Sequence, residues 1–294
     1  MAVQTLQEGV TSLSGLLSSS DSLRILRGGQ TVTGSIDQNA LTDLGNVEIS
    51  STASVNLGGG GSNFKAKLTG TLSHAGSGRI YVEAYQGGAA STIARTKLIG
   101  PGFIYGRNGT FTRYEQSAGE ADFNESSIIP TAIVGGGTFR AAFVTGTTGF
   151  QTAIFSGGVV YTERGLDTDA SGSKMYVTGG CECHVSRSNI TASITQSPGT
   201  TNMPMGTGST ASGVIVVSGP GTVLDWQGYT IDTIYVLGGA RLDMSAAPVS
   251  FSVGNLFVDR KSLLASNWQS KVPGVTITYS AKTIYGSNDD TLPG

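Results

Sequence analysis

The sequence predicts an all-β protein whose second half is a β-solenoid with coils of about twenty residues, and three observations carry that prediction. Glycine doublets return after short β-branched or aromatic runs, as in Ala-Ile-Val-Gly-Gly-Gly-Thr-Phe (132–139), Ile-Phe-Ser-Gly-Gly-Val-Val-Tyr (154–161), Tyr-Val-Thr-Gly-Gly-Cys-Glu-Cys (176–183), Val-Val-Ser-Gly-Pro-Gly-Thr-Val-Leu (216–224) and Tyr-Val-Leu-Gly-Gly-Ala-Arg-Leu (235–242). The last glycines, 137, 158, 180, 221 and 239, are spaced 21, 22, 41 and 18 apart. The residues after each doublet alternate in polarity, as half-buried strands do.

Each observation has a physical cause. Stacked coils hold strands about 4.8 Å apart, and a sharp corner repeated in every coil needs residues that accept a left-handed or fixed φ, hence Gly and Pro. The 41-residue interval is expected to hold two coils, because Ser197-Pro198-Gly199 echoes the Ser218-Gly219-Pro220-Gly221 corner. Counting from the last glycine, the first and third residues (Val159 and Tyr161, Cys181 and Cys183, Thr222 and Leu224, Ala240 and Leu242) form the inward series. The second residues, including Val160 and Val223, then face outward, and an apolar outward residue is a candidate contact between copies of the chain. Phe139 falls out of phase with this scheme.

The elements divide into zones. Residues 1–24 carry Leu6, Val10, Leu13 and Leu17, a 4-3-4 spacing that places one apolar stripe on a short helix serving as coiled-coil seam, docking arm or cap. Residues 25–130 are β-rich without the regular beat, and Asn108-Gly109 between Phe103-Ile104-Tyr105 and Phe111-Thr112 predicts an antiparallel hairpin. That zone is expected to be either a small sandwich or loops extruded from solenoid coils. Residues 131–280 form the solenoid, with Leu263 to Trp268 as a helical turn or capping segment over its open end. Residues 281–294 are a polar tail.

Composition narrows the function classes. The 294 residues include 44 Gly and only 13% charged residues, with a net charge of −2 and no Lys/Arg cluster, so a nucleic-acid partner is not expected. No apolar run approaches the roughly 18 residues of a membrane span. The first residues lack a basic leader and an unbroken apolar stretch, so no signal peptide is expected.

Few residues invite chemistry. Cys181-Glu182-Cys183-His184 has metal-binding residue types, but alternation turns His184 away from both sulfurs, so the cysteines read as buried thiols and no metal or cofactor is expected. Asp225 and Asp243 fall in one outward column on adjacent coils, which brings their carboxylates to about 5 Å, the separation of a retaining glycosidase pair. A solvated acidic column is the competing and favoured reading. Glu163, Asp167 and Asp169 form an acidic loop able to hold calcium, against which stands an ordinary solvated loop.

Taken together, the Gly-Gly coils over 132–244 and the short apolar stripe before them resemble bacteriophage virion proteins of the β-helical kind: capsid decoration (cement) proteins, head fibres and small tailspikes. The resemblance is one of architecture. It implies a homotrimer, made in the host cytoplasm and built into the virion, with the major capsid protein or another virion component as partner. Leu6, Val10, Leu13 and Leu17 would then dock or trimerise, and Val160 and Val223 would line the trimer interface. The alternatives implied are a small tailspike binding or cleaving a host glycan through Asp225 and Asp243, and a non-catalytic adhesive fibre.

Overall fold

The computed structural model describes residues 3–6, 22–25, 32–34, 45–50, 52, 54–57, 67–83, 91–107, 109–124, 127–141, 150–162, 173–185, 210–226, 230–243, 253–259, 262–264 and 276–279. Among them there is no helix, and so none long and apolar enough to cross a membrane. The chain divides into two compact units, the first comprising Met1–Ile129 with two short pieces after it and the second Pro130–Val134, Arg140–Ala142 and Thr147–Gly294. Each is a parallel β-solenoid.

The first unit contains β1 (Val3–Leu6), β2 (Ser22–Ile25), β3 (Val32–Gly34), β4 (Val47–Ile49), β5 (Ser54–Leu57) and β6 (Lys67–His74). It continues through β7 (Arg79–Glu83), β8 (Ser91–Leu98), β9 (Phe103–Arg107), β10 (Gly109–Phe111), β11 (Arg113–Gln116) and β12 (Glu120–Asn124). One sheet stacks β1, β2, β4, β6, β8 and β11, and the other stacks β3, β5, β7, β9 and β12. These ladders are all parallel.

Several expectations fail here for identifiable reasons. Val3–Leu6 form a strand, with Leu6 opposite Ile25. The open edge of a parallel sheet offers a row of unpaired amides and carbonyls to such a strand. Val10, Leu13 and Leu17 lie outside the described residues. The expected hairpin is absent: β9 and β10 belong to different sheets, and β10 pairs parallel with β8. Phe111 is buried with Phe123 at a ring separation of 4.7 Å, and this aromatic packing, which also takes in Tyr114 and Phe139, holds the chain in the solenoid course. The zone is therefore coils, not a sandwich. Its beat was hidden because register steps of 24, 25 and 24 residues (Leu23 to Val47 to Leu72 to Thr96) give way to one of 18 (Thr96 to Tyr114).

The second unit contains β13 (Thr131–Val134), β15 (Thr152–Phe155), β16 (Val159–Thr162), β17 (Ser173–Val177), β18 (Glu182–Val185), β19 (Thr210–Ser218) and β20 (Val223–Trp226). It ends with β21 (Thr230–Leu237), β22 (Arg241–Asp243), β23 (Val253–Val258), β24 (Leu263–Leu264) and β25 (Thr276–Tyr279), while β14 (Thr138–Ala141) is divided between the units. Odd-numbered strands from β13 to β25 stack in one sheet, and β16, β18, β20, β22 and β24 in the other. Leu263–Leu264 is thus a strand paired with β22 and not a helical turn.

The 41-residue interval is one coil, not two. Lys174 pairs directly with Val214 and Glu182 directly with Val223, which leaves no rung between them. Ser197, Pro198 and Gly199 lie outside the described residues, in a segment that joins Val185 to Thr210.

Corners come in three lengths, and these decide which way side chains point. From the last inward residue of one sheet to the matching inward residue of the other is five positions at Phe155 to Val160, six at Val177 to Cys183 and Val236 to Leu242, and seven at Val217 to Leu224. The five-step corner has one left-handed glycine, Gly158; the six-step corners have two, Gly179 with Gly180 and Gly238 with Gly239; the seven-step corner has Gly219 and Gly221 around Pro220. Counting a fixed distance from the last glycine therefore inverts one class. Cys181, Cys183, Thr222, Leu224, Ala240 and Leu242 are buried as expected, but after Gly158 it is Val160 and Thr162 that are buried. After Gly137, Phe139 is likewise inside.

Candidate functional site

The registers Tyr161 to His184 to Asp225 to Asp243 place these four residues in one column on adjacent rungs of the second unit. Their strands show alternating burial, with these side chains on the outer, half-buried face. The rings of Tyr161 and His184 stack 5.0 Å apart at 10°, and the Arg140 guanidinium lies 5.7 Å from the Tyr161 ring centroid. His184 Nδ1 is 3.1 Å from Asp225 Oδ2, and its Nε2 is 2.8 Å from Glu182 Oε1. Arg241 donates to Asp243 Oδ2 at 2.8 Å.

The electrostatics follow from these contacts. The hydrogen bond to Asp225 holds the His184 imidazole above its usual pKa against the opposing effect of burial, and Glu182 adds to the rise. Asp225 and Asp243 are Cα partners, so the column inferred from sequence is real. Each carboxylate nevertheless meets a basic side chain, His184 for one and Arg241 for the other. A retaining glycosidase pair turns both carboxyls to the substrate, whereas here each is engaged by a basic neighbour.

The cysteines turn inward. Burial drives the Cys181 thiol to about 12 and the Cys183 thiol well above its usual value, so neither supplies thiolate for a metal or a nucleophile. Among the described residues no three His, Cys, Asp or Glu groups gather at metal-binding distance. Glu163, Asp167 and Asp169 lie outside the described residues.

The proposed interface residues separate. Val160 is fully buried in the core and takes no part in any outer surface, the inversion arising from its five-step corner. Val223 does face outward, in a column with Val159, Glu182 and Arg241.

A different outward column is apolar on six successive rungs. Ile133, Ile154, Tyr176, Val216, Tyr235 and Phe257 are registered one over the next on the first sheet of the second unit. None is in the core, Ile154 is 36% exposed, and Tyr235 and Phe257 stack at 4.6 Å and 10°. Their sequence signal is an apolar pair before each corner: Ile133-Val134, Ile154-Phe155, Tyr176-Val177, Val216-Val217, Tyr235-Val236 and Phe257-Val258. One member fills the core and the other breaks the alternation outward.

No protein-family model, no curated protein and no solved structure matches this chain. The first unit bears a different surface, in which Arg95, Lys97 and Arg113 surround Glu115. Burial pushes the Glu115 carboxyl up, but hydrogen bonds from Arg113 and Arg95 outweigh it and hold the group below its usual range. A recess of about 260 Å³ is lined by the Arg24–Glu48 ion pair together with Ser22, Asn46, Val47, Thr71 and Ser73.

Proposed function

We propose that the protein is a non-enzymatic virion structural protein, a homotrimer that decorates the outer surface of a phage capsid with the major capsid protein as its partner. The observation that carries this reading is the outward apolar column from Ile133 to Phe257 on a parallel solenoid, because a contiguous, half-exposed apolar stripe of this kind suits an association surface. The pairing of Asp225 with His184 and of Asp243 with Arg241 favours a structural ladder over an acid and base pair. Extended solenoid surfaces suit reinforcement of a shell, since contacts spread over many rungs sum without needing a deep pocket. No cofactor enters this role.

The deciding experiment is localisation of the protein's density on the assembled particle of the phage that encodes it. Density on the shell, in multiples of three copies, is the expected result. Density at the tail would establish the spike or fibre reading, and absence from the particle would overturn the virion assignment.

A further inference from the structure

We infer that the column Ile133, Ile154, Tyr176, Val216, Tyr235 and Phe257 is the seat of two further copies of this chain, parallel and in register around an axis running along the solenoid. The inference rests on the homotrimer proposed above and names the face that forms it.

Charge selects this face. A rotation axis parallel to the solenoid sets each residue beside its own copies, so an ionised residue on the axis meets like charge. The six residues carry no acid or ordinary base. Short polar side chains flank them, Thr131 and Thr152 on one side and Ser156, Thr178 and Ser218 on the other, while Lys174 follows Thr152 as a long exposed cation in the first of these columns. On the other sheet the outward columns hold Glu182, Arg241, His184, Asp225 and Asp243, and rotation there would oppose each with itself.

Spacing selects a copy over another partner. The apolar side chains recur at the strand separation of about 4.8 Å, so the stripe runs about 24 Å over its five steps. A second copy presents the same residue at every height without adjustment, whereas an unrelated surface has no such repeat. One column alone falls short of the roughly 800 Å² per partner of a stable interface. The polar flanks must therefore be covered too, and apart from Lys174, whose ammonium must reach past the contact to solvent, their short side chains permit close approach. Tyr176 and Tyr235 bring large apolar area with a hydroxyl at the tip, the type enriched at such contacts.

The test uses the full chain in sedimentation equilibrium at about 10 µM, where a functional assembly should be largely associated. Wild type is expected as a trimer, and Ile154→Lys, which sets three ammonium groups around the axis, should weaken self-association by at least about tenfold. Val223→Lys, on the opposite sheet, should remain trimeric. Circular dichroism verifies folding of each variant, and Tyr176→Cys gives an independent readout: mild oxidation should link equivalent positions of two chains. A wild-type trimer with Ile154→Lys still trimeric and Tyr176→Cys unlinked would overturn this face while leaving the trimer intact. A wild-type monomer would overturn the face and the trimer together, and particle localisation would still decide the virion role by itself.

Discussion

The hydroxyl of Thr222 accepts the backbone amide of Gly180 from the neighbouring coil at 3.0 Å and donates its own proton to the Ser218 carbonyl at 2.9 Å. The next corner repeats the device: Asp259 accepts the Gly238 amide at 2.6 Å, Ser262 accepts the Gly239 amide at 3.2 Å, and the Ser262 hydroxyl donates to Asp259 at 2.7 Å. A two-glycine turn points its amides along the stack, where no strand pairs with them, and a buried unpaired amide is costly. Side chains of the following coil satisfy these amides.

Removing a cap should therefore cost stability without changing the fold. Thr222→Val keeps shape and loses both hydrogen bonds, and Asp259→Ala leaves the Gly238 amide unsatisfied. Each should lower unfolding free energy by about 1–3 kcal/mol, measured by urea denaturation. An unchanged midpoint for Asp259→Ala would remove the capping role.

Corner glycines should differ in their tolerance. Gly137 has φ of 78°, and a Cβ there would be driven into the Gly119 carbonyl oxygen of the neighbouring coil, whereas Gly180 has φ of 79° with no atom within 4 Å of that position. Asparagine adopts left-handed φ more readily than other side chains, so Gly180→Asn should cost about 1 kcal/mol and Gly137→Asn several times more. Thermal denaturation of the pair checks the order, and equal losses would contradict the stacking argument.

Acidity should strengthen the second unit through His184. Its folded pKa is raised by Asp225 and Glu182, so the stabilisation is fully present below the unfolded value near 6.5 and fades as pH rises through the folded value. Partial exposure keeps it to about 1 kcal/mol or less. The difference in melting temperature between wild type and His184→Asn should be larger at about pH 5.5 than at about pH 8.5. A difference that grows toward alkaline pH would refute the linkage.

Asp243→Asn should lower stability slightly, by under about 1 kcal/mol, because it loses the Arg241 partner and relieves little repulsion from Asp225. Neither wild type nor variant should release reducing sugar ends from host envelope material. Release that disappears in Asp225→Asn would establish a carbohydrase.

The long segment between β18 and β19 should be dispensable to the ladder. Val185 pairs with Trp226 and Thr210 with Thr230, so residues 186–209 join the same two points that Gln227-Gly228-Tyr229 join one rung on. Replacing 186–209 with that tripeptide should leave the β-type circular dichroism spectrum and the melting temperature close to wild type. Loss of folding would assign the segment a structural part.

Much of this architecture was legible in the glycine doublets, since only Gly tolerates both the left-handed φ and the close stacking found at Gly119 and Gly137. The Asp225 and Asp243 column followed from the same count. Facing failed at Val160 because only Gly158 of the Gly157-Gly158 pair takes left-handed φ whereas both glycines of Gly179-Gly180 do, a conformational difference that the letters do not display. The extra coil placed at Ser197-Pro198-Gly199 failed because pairing partners are chosen by packing across rungs, not by resemblance of turns. The apolar column was visible as paired hydrophobes before each corner, yet alternation alone assigns no outward role to a strand apolar on both faces.

The corners of five, six and seven positions bear on how such a chain tolerates change in its gene. A single-codon insertion or deletion inside a β-strand inverts every side chain beyond it, and a sheet protein seldom survives that. Here the added residue is absorbed where the chain turns, and the strands on either side keep their faces. Coil length can thus change by one residue at a corner while the core stays constant.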